Sequence, residues 1–215
     1  MRSNTHWPRR VARAILVATA VAIAMPAVAF TVNITAANPR VIYLQIGVGS
    51  FTGGNYNAGG TPANNATVNV VSVTVPAAQV GTGTAQVMNT NSGATSSFYD
   101  GYAFCNAPSQ LYVGGFYRST ANTGAATLRA TSPANLVNAG GNTIPFAQIS
   151  WTSGGNGDTG AQPFPAGTFV GGTQTIGTIA RNQWAESCLT FSYANSNAVA
   201  AGTYTGRVTY TLSTP

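Results

Sequence analysis

Chemically reactive side chains are scarce in this chain of 215 residues, which has no lysine, one histidine and three acidic residues. General acid–base catalysis depends on such side chains, and a serine triad needs a histidine. We therefore predict a protein that is not an enzyme and has no metal or other cofactor. The remaining enzymatic alternative is a hydrolase that uses a pair from Asp100, Asp158 and Glu186. The first two lie in turn-like sequence, and we expect Glu186 to contact Arg181 or water.

Long hydrophobic runs are also missing, apart from a short one near the start. Residues 14–25 are uncharged and apolar, follow three arginines within residues 9–13, and precede the small-residue triplet 27–29. These features are typical of a secretory signal, and the run is shorter than the about 20 residues of a membrane span. We expect residues 1–29 to be cleaved. Residues 30–215 then form one domain without a membrane span, located in the periplasm, at the cell surface or outside the cell.

A strongly basic mature surface is missing as well. The signal contains four of the nine arginines and the only histidine, so the mature chain keeps five arginines against three acids, a net charge of +2. Nucleic-acid binding domains usually carry a concentrated basic surface. We therefore expect no nucleic-acid partner.

Only two cysteines are present, Cys105 and Cys188. In an oxidising compartment the first expectation is a disulfide, which would stabilise the fold by about 4–5 kcal/mol in the chain-entropy model. A reactive thiol or a metal ligand is the alternative, but a metal site would need histidine or more cysteine. Successive residues of a strand point to opposite faces. Cys188 would therefore lie on the face opposite Leu189 and Phe191, and Cys105 on the face opposite Phe104, so we expect the bridge to lie away from the centre of the core.

Short runs rich in valine, threonine and aromatic residues, separated by glycine and asparagine turns, predict strands throughout the mature chain. The runs are 30–35, 41–48, 66–75, 98–105, 110–118, 125–132, 144–153, 174–181, 187–195 and 201–215. About ten short strands of this kind favour an all-β, two-sheet antiparallel sandwich of the immunoglobulin-like or pilin-like type. A barrel is the competing architecture.

The last run alternates almost to the final residue. Tyr204, Val208, Tyr210 and Leu212 fall on one face, and this face is predicted to pack on the core. Gly206 interrupts that face, as a bulge or a close packing contact would. The free edge of such a late strand is either paired within the sandwich or left for a partner.

The terminal sequence "AGTYTGRVTYTL", together with the signal, resembles the bacterial pilin-like and spore-coat-protein-U-like secreted β-sandwiches. The matching positions are Ala201, Gly202, Tyr204, Val208 and Leu212. The resemblance implies a subunit of an extracellular fibre or surface coat, delivered by a periplasmic chaperone and an outer-membrane usher. Its partners would be its own copies or other pilin-like subunits. This chain departs from the family pattern in having its first cysteine late and no aromatic residue close to its C-terminus.

The start of the mature chain fits such an assembly. Phe30, Val32 and Ile34 alternate with polar residues, so the segment can be added as a strand to a neighbouring subunit's open sheet. The alternative is that it is the domain's own first strand, which is the interpretation that we favour.

A second functional hypothesis is a carbohydrate-binding, lectin-like module. Trp151 and Trp184 would stack on the apolar faces of glycans if both were exposed. The alternative is a structural role for both tryptophans as caps of the sandwich, and we favour it.

Overall fold

The structure is a computed structural model that describes residues 31–121 and 123–215. The predicted signal 1–29 and Phe30 lie outside the described residues. In the described part of the chain, no helix has the length and apolar character needed to cross a membrane.

The described residues form sixteen strands and two single 3₁₀ turns. The strands are β1 (Thr31–Asn33), β2 (Val41–Ile46), β3 (Ser50–Thr52), β4 (Thr61–Ala63), β5 (Val71–Ser72), β6 (Gln86–Val87), β7 (Asn89–Thr90), β8 (Leu111–Arg118), β9 (Ala126–Thr131), β10 (Asn135–Val137), β11 (Thr143–Pro145), β12 (Ile149–Gly154), β13 (Gly167–Thr168), β14 (Thr173–Ile179), β15 (Gln183–Tyr193) and β16 (Thr209–Ser213). The 3₁₀ turns are Ala77–Gln79 and Phe146–Gln148.

Two antiparallel sheets face each other. The larger has the order β13-β12-β15-β8-β2, and β1 and β6 pair with opposite ends of the long strand β15. The smaller has the order β14-β9-β16. Three two-stranded ribbons complete the described strands: β3 with β4, β5 with β7, and β10 with β11.

The main core lies between these two sheets. Val113 of β8 and Leu189 of β15 enter it from the larger sheet, and Leu128, Ile179 and Leu212 enter it from the smaller one. Successive side chains of a strand point to opposite faces, so one face of each strand reaches this core, while β8 and β15 are buried on both faces. The predicted all-β sandwich is therefore confirmed.

Several predicted strand boundaries are wrong. Residues 98–105 contain a turn at 98–100 and only an isolated bridge from Ser96 to Ala103. The run 144–153 is divided by the 3₁₀ turn that follows Pro145. Within 66–75 only β5 is paired, and the terminal strand begins at Thr209 rather than near Ala201.

The outer face of the larger sheet carries a second buried cluster. Tyr112 of β8 packs there with Phe104, Cys105 and Cys188. The two cysteines form a disulfide with Cα atoms 5.5 Å apart. Its position on the face opposite the main core is as predicted. The reason given for Cys105 was wrong, because its segment is a loop in which Phe104 and Cys105 are both buried in this cluster.

Replacing both cysteines by alanine should lower the free energy of unfolding by about 4–5 kcal/mol, because a bridge across 83 residues restricts the unfolded chain. Chemical denaturation of wild type and of the Cys105→Ala/Cys188→Ala variant measures the difference. Equal midpoints and slopes in the two proteins would contradict this expectation.

Gly206 has a packing role. A Cβ atom at this position would lie 2.8 Å from Leu136 Cδ2 and 2.8 Å from Phe146 Cε2. Phe146 is only 2% exposed and packs edge-on against Phe169, so its ring has little room to move. The break in the apolar face of the terminal run is therefore a close packing contact.

We expect Gly206→Ala to destabilise the protein by about 1–3 kcal/mol through overpacking. Gly172→Ala is the matched control, because no atom lies within 4 Å of a Cβ at that position. Thermal unfolding of both variants tests the expectation. If the two melt at the same temperature, the contact at Gly206 is not tight.

Candidate functional site

A large apolar groove runs along one side of the sandwich. It has a volume of about 1440 Å³ and lies between two stretches of extended chain, residues 67–75 and 199–210. Buried core residues, among them Leu111, Phe146 and Phe191, form part of its lining. The groove thus borders the main core, whose residues form its floor.

The first wall of the groove, residues 67–75, alternates like a strand but is hardly paired. Val71, Val73 and Val75 are half-buried, whereas Val68 and Val70 are more than half exposed. Of this wall only β5 has a partner strand, β7.

Two asparagines fasten the first wall to the sandwich. The Asn69 side chain donates to the Ile46 carbonyl at 2.9 Å. The Val70 amide donates to Asn91 Oδ1 at 2.8 Å, and the Asn91 amide donates to the Val70 carbonyl at 3.0 Å. Hydrogen bonds of Asn69 and Asn91 therefore hold this wall where a longer strand ladder is missing.

The second wall contains the terminal segment. Among the described strands β16 is hydrogen-bonded to β9 alone, so it is an edge strand. Before β16 the chain is extended and paired only where the amides of Thr205 and Val137 donate to each other's carbonyls. Tyr204, Val208 and Tyr210 of this wall are half-buried and pack against the main core.

The two walls are incompletely paired segments on either side of an apolar floor. Such edges are templates for another strand, because their N–H and C=O groups need partners. Arg207 is the one charged residue among the described residues that line the groove. The groove is also larger than the roughly 300–1,000 Å³ of ordinary small-molecule pockets. Its chemistry suits an uncharged, extended polypeptide.

The predicted N-terminal donor segment does not lie in this groove. Val32 pairs with Trp184 of the protein's own β15, and Val32 and Ile34 are half-buried there. Phe30 lies outside the described residues. In this structure the segment is thus an intramolecular strand.

The two tryptophans proposed as a sugar platform are both buried. Trp184 is 0% exposed and Trp151 is 5% exposed. The Trp151 indole N–H donates to the Pro165 carbonyl at 2.9 Å, and the Trp184 indole N–H donates to Glu186 Oε2 at 2.9 Å. Their burial agrees with the structural role that we favour and removes the exposure that the glycan hypothesis requires, because each indole packs inside a cluster of aromatic rings.

The three acids have different hydrogen-bond partners, although Asp100 lies close enough to Glu186 for its charge to act on it. Asp100 accepts a hydrogen bond from the Tyr102 amide in its turn, as expected for a turn residue. Asp158 accepts hydrogen bonds from the Gly160 amide and the Gln162 side chain. Glu186 is 0% exposed and bonds to Tyr112 and Trp184, so the expected contact with Arg181 or water is wrong.

The buried carboxyl group of Glu186 is located by strand register. Glu186 pairs with Gly114 of β8, and a Cβ at Gly114 would lie 2.3 Å from the Tyr112 hydroxyl. Glycine therefore leaves the space through which that hydroxyl reaches Glu186 Oε2, at 2.5 Å. The sequence carries only a weak signal for this contact, the paired glycines 114–115 within an aromatic strand.

Burial raises the pKa of Glu186 above its ordinary value of 4.5, and the negative charge of Asp100 adds to this rise. Hydrogen bonds from Tyr112, Ser97 and Trp184 to the carboxylate lower the pKa but only partly offset burial. The pKa of the Tyr112 hydroxyl is also raised, chiefly by burial and then by the charge of Glu186. A proton on this pair is therefore held more tightly in the folded protein than in the unfolded chain.

We expect stability to fall as pH rises above 4.5, since the unfolded chain then releases the Glu186 proton while the folded protein still holds it. The slope should approach at most about 1.4 kcal/mol per pH unit, and should end once the folded pKa is passed. Glu186→Gln should flatten this dependence. Denaturant unfolding across a pH series measures it, with Asp158→Asn as the control for loss of a negative charge. An unchanged slope in Glu186→Gln would contradict the assignment.

Within the described part of the chain no group of three or more histidine, cysteine, aspartate or glutamate side chains is placed to hold a metal ion. Comparisons with protein-family models, with curated proteins and with solved structures each found no match to this chain. The functional argument therefore rests on the groove and on the sequence of the N-terminal segment.

Proposed function

We propose that this protein is a secreted structural subunit of a fimbria-like fibre or surface coat, and that its copies join by β-strand addition. The observation that carries the proposal is the groove, where two incompletely paired edges, residues 67–75 and 203–208, flank an apolar floor. A sandwich with this opening resembles an immunoglobulin-like or pilin-like domain that lacks one strand. The added strand would complete it.

The occupant that we propose is the N-terminal segment of a second copy. Phe30, Val32 and Ile34 provide three apolar side chains on one face, and residues 30–37 contain no charged residue. As a strand, the five residues from Phe30 to Ile34 span about 17 Å. An uncharged, alternating segment matches a groove whose lining is largely apolar.

The free energy of this contact comes from burial of apolar side chains and from backbone hydrogen bonds. Full burial of each large apolar side chain stabilises the complex by roughly 1.5–3 kcal/mol, and each backbone hydrogen bond adds about 0.5–1.5 kcal/mol. These gains must exceed an association cost of about 4–15 kcal/mol. Because each copy carries one donor and one groove, the contact is head-to-tail and extends into a filament when the rotation does not close a ring.

The disulfide between Cys105 and Cys188 supports an oxidising location, and the predicted signal 1–29 supports export. An empty apolar groove is an aggregation hazard during export. We therefore propose that a periplasmic chaperone covers it and that an outer-membrane usher exchanges the chaperone for the next subunit.

Val208→Asp should reduce assembly at least tenfold, because it introduces a charge into the half-buried wall of the groove. Val170→Asp is the matched control, since Val170 is 63% exposed and lies outside the groove. Electron microscopy of secreting cells and sedimentation of the purified proteins measure assembly, and thermal unfolding checks that both variants fold.

A synthetic peptide of residues 30–37, FTVNITAA, provides a second arm of this test. In excess it should bind the purified protein and inhibit assembly, whereas the peptide with Val32→Asp and Ile34→Asp should do neither. Strictly monomeric wild-type protein that does not bind the peptide would overturn the proposal. Unchanged assembly by folded Val208→Asp would show that the subunits join elsewhere.

A further inference from the structure

We infer that the N-terminal segment, residues 31–37, has two competing positions, and that its contact with the protein's own β15 holds it back from assembly. This inference rests on the proposed function, since it concerns how the donor segment becomes available. The contact seen in the structure is the self-docked position, in which β1 lies beside residues 183–185 of β15.

The self-docked position is built mainly from hydrogen bonds. Thr31, Val32 and Asn33 pair antiparallel with residues 183–185, and the Ile34 amide donates to the Asn182 carbonyl at 2.8 Å. The Gln183 side chain donates to Asn33 Oδ1 at 3.2 Å. Val32 and Ile34 are only half-buried here, so part of their apolar surface stays in contact with solvent.

Arg118 holds the second half of the segment. Its Nε donates to the Thr35 carbonyl at 2.5 Å and its Nη2 donates to the Ala36 carbonyl at 3.4 Å. The Thr120 amide donates to the Ala37 carbonyl at 3.1 Å. Because a guanidinium donates charge-assisted hydrogen bonds, Arg118 is the side chain best placed to keep the segment docked.

The two positions exclude each other. One edge of β1 is paired with β15, and the carbonyls of Thr35 and Ala37 accept from Arg118 and Thr120. The chain enters β2 at Val41, so only residues 38–40 connect the segment to the rest of the domain. The segment must therefore leave its own sheet before it can reach the groove of a neighbour.

Because the segment is docked on β15 in most molecules, only a fraction of them can donate it to a neighbour. When only a fraction of molecules has the segment released, the apparent affinity between subunits falls by that fraction. A released segment gains the apolar floor of the neighbour's groove, which the self-docked position does not offer. The self-docked contact thus delays assembly without preventing it.

Arg118→Ala should release the segment and increase the assembly rate of the full chain, on the order of tenfold. The matched control is Arg129→Ala, an exposed arginine of β9 outside this contact. Assembly is followed by light scattering at equal protein concentration. Hydrogen exchange of the amides of residues 31–37, Ile34 above all, measures docking in the monomer before assembly. Gln183→Ala, which loses only the contact with Asn33, should give a smaller effect of the same sign.

The expected result is faster exchange confined to residues 31–37 together with faster assembly. Faster exchange with unchanged or slower assembly overturns the inference, as does loss of protection throughout the domain, because the segment is then an ordinary structural strand. If wild type assembles and Val208→Asp does not, but Arg118→Ala is no faster than Arg129→Ala, only this inference fails. If the wild type and every variant, including Arg118→Ala, stay monomeric, the proposed function fails and this inference fails with it.

Discussion

The pairing of β15 with its neighbours is the interaction on which the rest of the structure depends. This eleven-residue strand is hydrogen-bonded to β8 along its first half and to β12 along its second half. Its side chains alternate between two interiors: Leu189 packs in the main core, and Cys188 packs with the aromatic cluster on the outer face. Displacement of β15 would therefore open both cores at once, and also the edge on which the N-terminal segment docks.

The two faces of the sheet around β15 are covered by different elements. The outer face is closed by loops, by the disulfide and by the Tyr112–Glu186–Trp184 hydrogen bonds. The inner face is covered by the smaller sheet, whose edge strand β16 leaves the groove open. The outer face is therefore closed by covalent and buried polar contacts, whereas the inner face ends at an edge strand beside the groove. In the proposed function, a strand from a neighbouring subunit pairs with the edges of this groove and completes the sandwich.

Much of the fold could be predicted from the sequence, because local patterns determine it. Alternation located β2, β8, β9, β14 and most of β15, and the two cysteines had a single intramolecular pairing available. The prediction failed where local composition does not decide the outcome. Residues 98–105 have a strand-like composition but form a turn and a loop, and residues 66–75 alternate but find a partner only at β5. The sequence favoured a structural role for the candidate tryptophans, but their burial was established only by the structure, since exposure depends on what packs over a residue.

By itself the sequence determined the all-β class, the inner and outer faces of most strands and the supply of an alternating N-terminal segment. These follow from residue type and from the two-residue period of a strand, which are local properties. Only the tertiary structure decided that Glu186 is buried, that the edges of 67–75 and 203–208 remain incompletely paired, and that β1 docks on its own sheet. Each depends on contacts between residues far apart in the chain, such as Arg118 with Thr35, which no local pattern specifies.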